Sequence, residues 1–106
     1  MKTHYAIALV ALLLTGCTAA RSMSAINMAA ATVEEAETVQ AQTHAVYQYT
    51  RATERLRMAR LESNVAEYAA SEEHAKQATD WAQQAISAAK KQAATLSRQT
   101  LDESTL

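Results

Sequence analysis

The chain has 106 residues, with 10 basic against 11 acidic side chains and a formal net charge of −1. This balance argues against a general nucleic-acid-binding protein, which needs a basic surface, and a single cysteine excludes an internal disulfide. Proline is absent and glycine occurs once, so a chain rich in alanine, glutamate, glutamine and arginine is predicted to be helical almost throughout.

The first sixteen residues have the pattern of an export signal. Lys2 gives a positive start, and the apolar run that follows at 6–14 is shorter than the roughly 20 residues of a membrane-spanning helix. The run ends in Leu14-Thr15-Gly16-Cys17, which resembles the lipobox of bacterial lipoproteins. The resemblance implies that the chain is cut after Gly16 and that Cys17 is acylated on its sulfur and on the new amine.

Acylation also explains why an exported chain carries an unpaired cysteine. One acyl chain anchors a protein only marginally, whereas two or more anchor it stably, and the acyl chains on Cys17 are the only cofactor expected. By the same resemblance, Thr18 after the cysteine favours the periplasmic face of the outer membrane. The predicted organisation is a signal peptide at 1–16, a lipidated tether at 17–23 and an alanine-rich helical domain at 24–106.

Within this domain, small and apolar residues recur at helical spacing in three runs. The second run (45–63) and the third (68–96) are about two residues out of register, which predicts a turn near Ser63–Asn64. Asn64 is the expected N-cap of the last helix, and Glu67 would complete a capping box. A weaker phase change at Thr43–His44 predicts the break between the first two helices.

These runs predict an all-α fold, a small antiparallel bundle of three helices at 24–42, 45–62 and 65–99. A long two-helix hairpin is the alternative, because the break at 43–44 lacks strong punctuation. The runs are mostly alanine, which buries little apolar area. Most of the packing energy is therefore expected from the larger residues Tyr47, Tyr49, Leu56, Leu61, Tyr68, Trp81, Ile86 and Leu96.

The sequence offers little chemistry for catalysis. His44 and His74 are far apart, whereas a two-histidine zinc helix needs them four residues apart, so no metal site is expected. No serine lies in a glycine-framed nucleophile elbow, and we expect no enzyme. The candidate residues for contact with a partner are instead aromatic and basic side chains: Tyr47, Arg51, Arg55, Arg57, Arg60 and Trp81.

Residues 46–85 resemble the short alanine-rich helical domain of unknown function found in small bacterial envelope lipoproteins. The resemblance is carried by Tyr47-x-Tyr49-Thr50, then Ala52, Leu56 and Ala59, and by Tyr68 shortly before the alanines at 75, 78, 82 and 85. In relatives this domain often accompanies an OmpA-like peptidoglycan-binding domain. The resemblance brings no catalytic residues with it.

The expected function is therefore that of a lipid-anchored structural or adaptor element of the cell envelope, which contacts an envelope protein or peptidoglycan. The alternative is a self-assembling alanine zipper that resembles murein lipoprotein, and it depends on the alanine run from Ala75 to Ala93. In that alternative the chain would be a homo-oligomer.

Overall fold

The computed structural model describes residues 2–106, except for the side chains of residues 14 and 15. Four helices make up nearly all of this part: α1 (Lys2–Thr38), α2 (Ala41–His44), α3 (Val46–Asn64) and α4 (Tyr68–Ser104). The described residues contain no strand, so the predicted all-α class is confirmed. The molecule is a rod with principal extents of 87 × 16 × 14 Å.

Helix α1 is longer than the helix predicted at 24–42. It runs without a break through the apolar run and the segment predicted as a tether. By length and composition α1 could cross a membrane, a test that an N-terminal signal sequence also passes. Full burial along α1 begins only at Ser22, so the packing of the fold starts at the end of the tether segment.

Two short polar contacts fix the axial register of the three long helices. Ser22 Oγ lies 2.8 Å from Ser71 Oγ, and the Ser71 hydroxyl donates to the Ala59 carbonyl at 2.7 Å. Because the one Ser71 proton is used in that bond, Ser22 must be the donor in the serine pair. These residues form a buried layer, the serine layer, across α1, α4 and α3.

Counting seven residues along each helix from the serine layer reaches two layers made of alanine alone, as expected for a heptad repeat. Their members are at most 5% exposed: Ala29, Ala52 and Ala78 in the second layer, and Ala36, Ala45 and Ala85 in the third. Between these layers, larger side chains of α1 and α3 pack in one cluster with alanines of α4: Ile26, Val33, Tyr49 and Leu56 with Ala75 and Ala82.

The core is thus built from small side chains, and several large ones lie outside it. Leu56 is buried, but Tyr47, Leu61 and Leu96 are 60%, 54% and 41% exposed, so the prediction that they contribute core packing is wrong. Alanine layers let helix backbones approach closely, at the cost of little buried area per residue. The periodic runs are confirmed as far as Ala89, because most of their alanines are buried, whereas Ala93 and Leu96 at the end of the third run are exposed.

Helix α4 continues well beyond this core. Its last buried residue is Ala89, and every residue from Lys90 to Leu106 is exposed. The helical part of this extension reaches Ser104, which at 1.5 Å per residue is about 22 Å. We call residues 90–104 the α4 extension.

The chain breaks directly after the predicted Thr43–His44 position, where Ala45 separates α2 from α3, but the first turn of the fold lies earlier. Helix α1 ends at Thr38, where Gln40 adopts a left-handed conformation (φ 58°) and its N–H donates to the Glu37 carbonyl at 3.0 Å. Tyr49 fastens this end of α1 to α3, because its hydroxyl donates to Glu37 Oε1 at 2.7 Å. That hydrogen bond is the main cause that raises the pKa of Tyr49 above its ordinary value.

The α3–α4 turn has the predicted location, but the predicted capping box is wrong. Asn64 is the last residue of α3, and Glu67 precedes α4 without a side-chain cap. The chain turns through Ala66, which is left-handed (φ 62°). The Glu67 N–H donates to the Glu62 carbonyl at 2.9 Å and the Ala66 N–H to the Ser63 carbonyl at 3.2 Å, which is the Schellman pattern at a helix end.

Ala66→Gly is expected to raise the free energy of unfolding by about 0.5–1 kcal/mol. A left-handed conformation costs a residue with a Cβ about 1–2 kcal/mol, and part of this gain is offset by the greater freedom of glycine in the unfolded chain. Urea unfolding followed by circular dichroism measures the change. Ala69→Gly, at an exposed helical position three residues away, should lower stability; if both variants change it in the same direction, the turn geometry is not the cause.

Candidate functional site

Gly16 and Cys17, the predicted cleavage and acylation residues, are both exposed on α1. Nothing lies within 4 Å of a Cβ built on Gly16, and Cys17 is a free thiol. The side chains of Leu14 and Thr15, which begin the lipobox-like element, lie outside the described part of the chain. The thiolate of an accessible cysteine is the nucleophile required for thioether formation, and this site therefore permits the predicted acylation.

Three of the predicted contact residues come together on one face of the α3–α4 hairpin. The rings of Tyr47 and Trp81 meet edge to face, with centroids 5.6 Å apart and planes at 87°. The guanidinium of Arg51 stacks over both, 5.6 Å from the Tyr47 centroid and 5.8 Å from the Trp81 centroid. We call Tyr47, Arg51 and Trp81 the aromatic–arginine cluster.

Helix geometry explains this cluster. Tyr47 and Arg51 are four residues apart and therefore lie on the same side of α3, while Tyr49 points to the other side and packs against the core. An arginine guanidinium is charged at physiological pH, and hydrogen bonding to Tyr47 is the main cause that raises the pKa of Arg51 above its ordinary value. The cluster offers two ring surfaces and one fixed positive charge.

Of the other predicted arginines, only Arg55 lies on the side of α3 that carries the cluster. Arg55 follows Arg51 by one helical turn on the same side of α3, but Arg57 is rotated by about 120° from Arg51 at 100° per residue. Arg60 lies towards α1, where it lines two shallow grooves, one with Met23 and the other with Glu34. The four candidate arginines therefore lie on different sides of α3.

An open polar groove lies between the start of α3 and the middle of α4. It has a volume of about 630 Å³ and is lined by Gln48, Asp80, Gln83, Gln84, Ser87, Ala88 and Lys91. Sequence reasoning did not single out these residues, although Asp80, Gln84, Ser87 and Lys91 have the spacing of one helix face. Because Gln84 lies three residues after Trp81 and Gln48 lies three residues before Arg51, the groove and the aromatic–arginine cluster share one face of α4 and of α3.

Two of the three histidines, His74 and His44, have structural surroundings. His74 is half-buried, and its Nδ1 lies 2.7 Å from Glu62 Oε2. This pair joins α3 to α4 near their turn. His44 closes the short helix α2. Among the residues that the structure describes, no three potential metal ligands of the His, Cys, Asp or Glu type lie together.

The chain therefore presents two candidate sites at different places along the rod: the exposed Cys17 on α1 and the aromatic–arginine cluster with its polar groove on the α3–α4 hairpin. The first is suited to covalent attachment and the second to contact with another molecule. Compared with protein-family models, curated proteins and solved structures, the chain matches none of them.

Proposed function

We propose that the protein is a non-enzymatic lipoprotein that acts as a structural or adaptor element on the periplasmic face of the outer membrane. The observation that carries this proposal is the element Leu14-Thr15-Gly16-Cys17 directly after a short apolar run with a positive start. The exposure of Gly16 and Cys17 supports it, since both a peptidase and an acyl donor need access. Acylation of Cys17 on sulfur and amine would anchor the chain stably.

The folded unit in this proposal is a small antiparallel bundle of α1, α3 and α4 that stands on the membrane. The serine layer and the alanine layers support a rigid rod, because they hold three helices in one register. Helix α4 alone has 37 residues, which corresponds to about 55 Å. Such a rod carries a contact surface away from the lipid without needing a second domain.

An envelope protein is the partner that the aromatic–arginine cluster favours. Tyrosine, tryptophan and arginine are the residue types that most often dominate the binding energy of protein interfaces. Tyr47 is 60% exposed although it already packs on Trp81, so its other faces remain available. The neighbouring groove adds amide and hydroxyl groups that could form the polar rim of such an interface.

Self-assembly as an alanine zipper has less support. The alanines of its core-facing stripe, which are Ala75, Ala78, Ala82, Ala85 and Ala89, are all fully covered within one chain by the other helices. A second copy would have to displace these helices to use the same stripe. Of that run only Ala93 is exposed, and one alanine buries too little area to hold an oligomer.

Cys17→Ser tests the anchor. In the unchanged protein, mass spectrometry should find an N-terminus at Cys17 with acyl chains, and the protein should fractionate with the outer membrane. In the variant, acylation and processing after Gly16 should be lost together. Thr18→Ser, which keeps the cysteine, is the matched control. An unmodified cysteine in the unchanged protein, or unaltered processing of Cys17→Ser, would contradict the proposal.

The partner surface has its own test. A photo-crosslinking amino acid in place of Tyr47 should capture one envelope protein in cells, while the same group in place of Gln99, on the exposed α4 extension, should not. Capture should fall when Arg51→Ala is added, because the guanidinium belongs to the same surface. Crosslinking to isolated peptidoglycan instead of protein would reject the protein partner.

A further inference from the structure

The serine layer allows the heights of Cys17 and of the α3–α4 turn to be compared along the rod. Cys17 lies five residues before Ser22 on α1, and Asn64 lies five residues beyond Ala59 on α3. At 1.5 Å per residue both are about 7.5 Å above the layer, on the same side of it. The tip of the turn is therefore level with the residue that would carry the lipid.

The part of α1 around Cys17 and the α3–α4 turn are also close to each other across the rod. Thr18, which follows the cysteine, lines a shallow groove of about 560 Å³ together with Ala66, Glu67, Tyr68, Ala69 and Ala70. At this end Val65 is 67% exposed and Leu61 is 54% exposed. Two exposed apolar side chains, Val65 in the turn and Leu61 on the last part of α3, thus lie at the same end of the rod as the anchor.

Basic side chains on two helices lie near this end. Arg21 and Arg60 are exposed, and each lies about 6 Å below the level of Cys17 by the same residue count. The headgroup zone on each side of the hydrocarbon core is about 5–7 Å thick. Glu62 contacts His74 at 2.7 Å, and Glu67 is the exposed acidic group of the turn itself.

We propose that the α3–α4 turn is a second membrane contact, in which Val65 reaches the hydrocarbon boundary while Leu61, Arg21 and Arg60 lie in the headgroup zone, where the two arginines meet phosphates. This inference rests on the proposed acylation of Cys17. The acyl chains bring the end of α1 to the hydrocarbon boundary, and the turn, at the same height, reaches that boundary with them. Two contacts hold the rod upright on the membrane, whereas one contact would let it tilt.

Val65→Cys gives a direct test, because acylation of Cys17 leaves the new cysteine as the only reactive thiol. The variant is expressed as the full chain, processed in cells, labelled with an environment-sensitive nitrobenzoxadiazole dye and reconstituted into phosphatidylcholine–phosphatidylglycerol vesicles. The vesicles contain a lipid with a spin-label quencher near its headgroup. Thr95→Cys on the α4 extension, about 40 Å further along α4, is the matched control.

Quenching at position 65 should be several-fold stronger than at position 95, with blue-shifted emission only at position 65. Acylation of Cys17 in each sample is verified by mass spectrometry. If the protein is acylated and the dye shows the same water-like emission at both positions, the membrane contact is overturned and the lipid anchor is not. Absence of acylation from the same sample would overturn both proposals. Circular dichroism of each labelled variant verifies that the helices are retained.

Discussion

Ala78→Leu is expected to lower the free energy of unfolding by about 3 kcal/mol, the upper part of the range for overpacking a close-packed core. Ala78 is fully buried in the layer that it forms with Ala29 and Ala52. Leucine and alanine have similar helix propensities, so the change acts through packing. The larger side chain must push α1 or α3 away from α4 and so opens the layers on both sides.

Thermal and urea unfolding of the full chain in detergent, followed by circular dichroism, measure this effect. Ala94→Leu places the same side chain on the exposed α4 extension and should change stability by less than about 0.5 kcal/mol. A loss of 3 kcal/mol is a large fraction of the roughly 5–15 kcal/mol that stabilise a typical domain. Equal stability of the two variants would mean that the alanine layers are not tightly packed.

Ser71→Ala is expected to lower the free energy of unfolding by about 1–2 kcal/mol. The change removes the acceptor of the Ser22 hydroxyl and the donor to the Ala59 carbonyl, both in the fully buried serine layer. A buried hydroxyl left without its partner costs about 1–3 kcal/mol. The better helix propensity of alanine offsets part of this cost.

The double variant Ser22→Ala with Ser71→Ala separates hydrogen bonding from packing. It should be more stable than Ser71→Ala alone, because replacing both partners of a buried pair leaves no unsatisfied hydroxyl. Urea unfolding of both single variants and the double variant completes the cycle. If the two losses simply add, the serines are not coupled, and the short Oγ–Oγ contact is not a hydrogen bond in solution.

The serine layer also shows why the axial register of the helices against one another could not be predicted from the sequence. A periodic run identifies which residues of a helix face the core, and Ala52, Leu56 and Ala59 on α3 and Ala75 onwards on α4 were predicted in this way. It does not say which residue of one helix lies opposite which residue of another. Because one alanine layer resembles the next, only a distinct pair such as Ser22 and Ser71 distinguishes their alignments, and the two are 49 residues apart.

The sequence pattern predicted where the helices end better than it predicted the backbone conformation that ends them. The phase change at Ser63–Asn64 located the second turn because periodicity must fail where the chain reverses. The left-handed conformations at Ala66 and Gln40 were missed, since residues with a Cβ rarely adopt them and glycine is the usual signal. Similarly, contact between Tyr47, Arg51 and Trp81 depends on which sides of α3 and α4 meet.

The uneven support along α4 has a mechanical consequence. Up to Ala89, α4 packs against two other helices. The α4 extension beyond it packs against none, and its length is close to the 12–15 residues at which an isolated helix is only marginally stable in water. The rod is therefore stiff at its base and compliant at its tip. A load applied at the tip would uncoil the last turns first and spare the braced layers beneath.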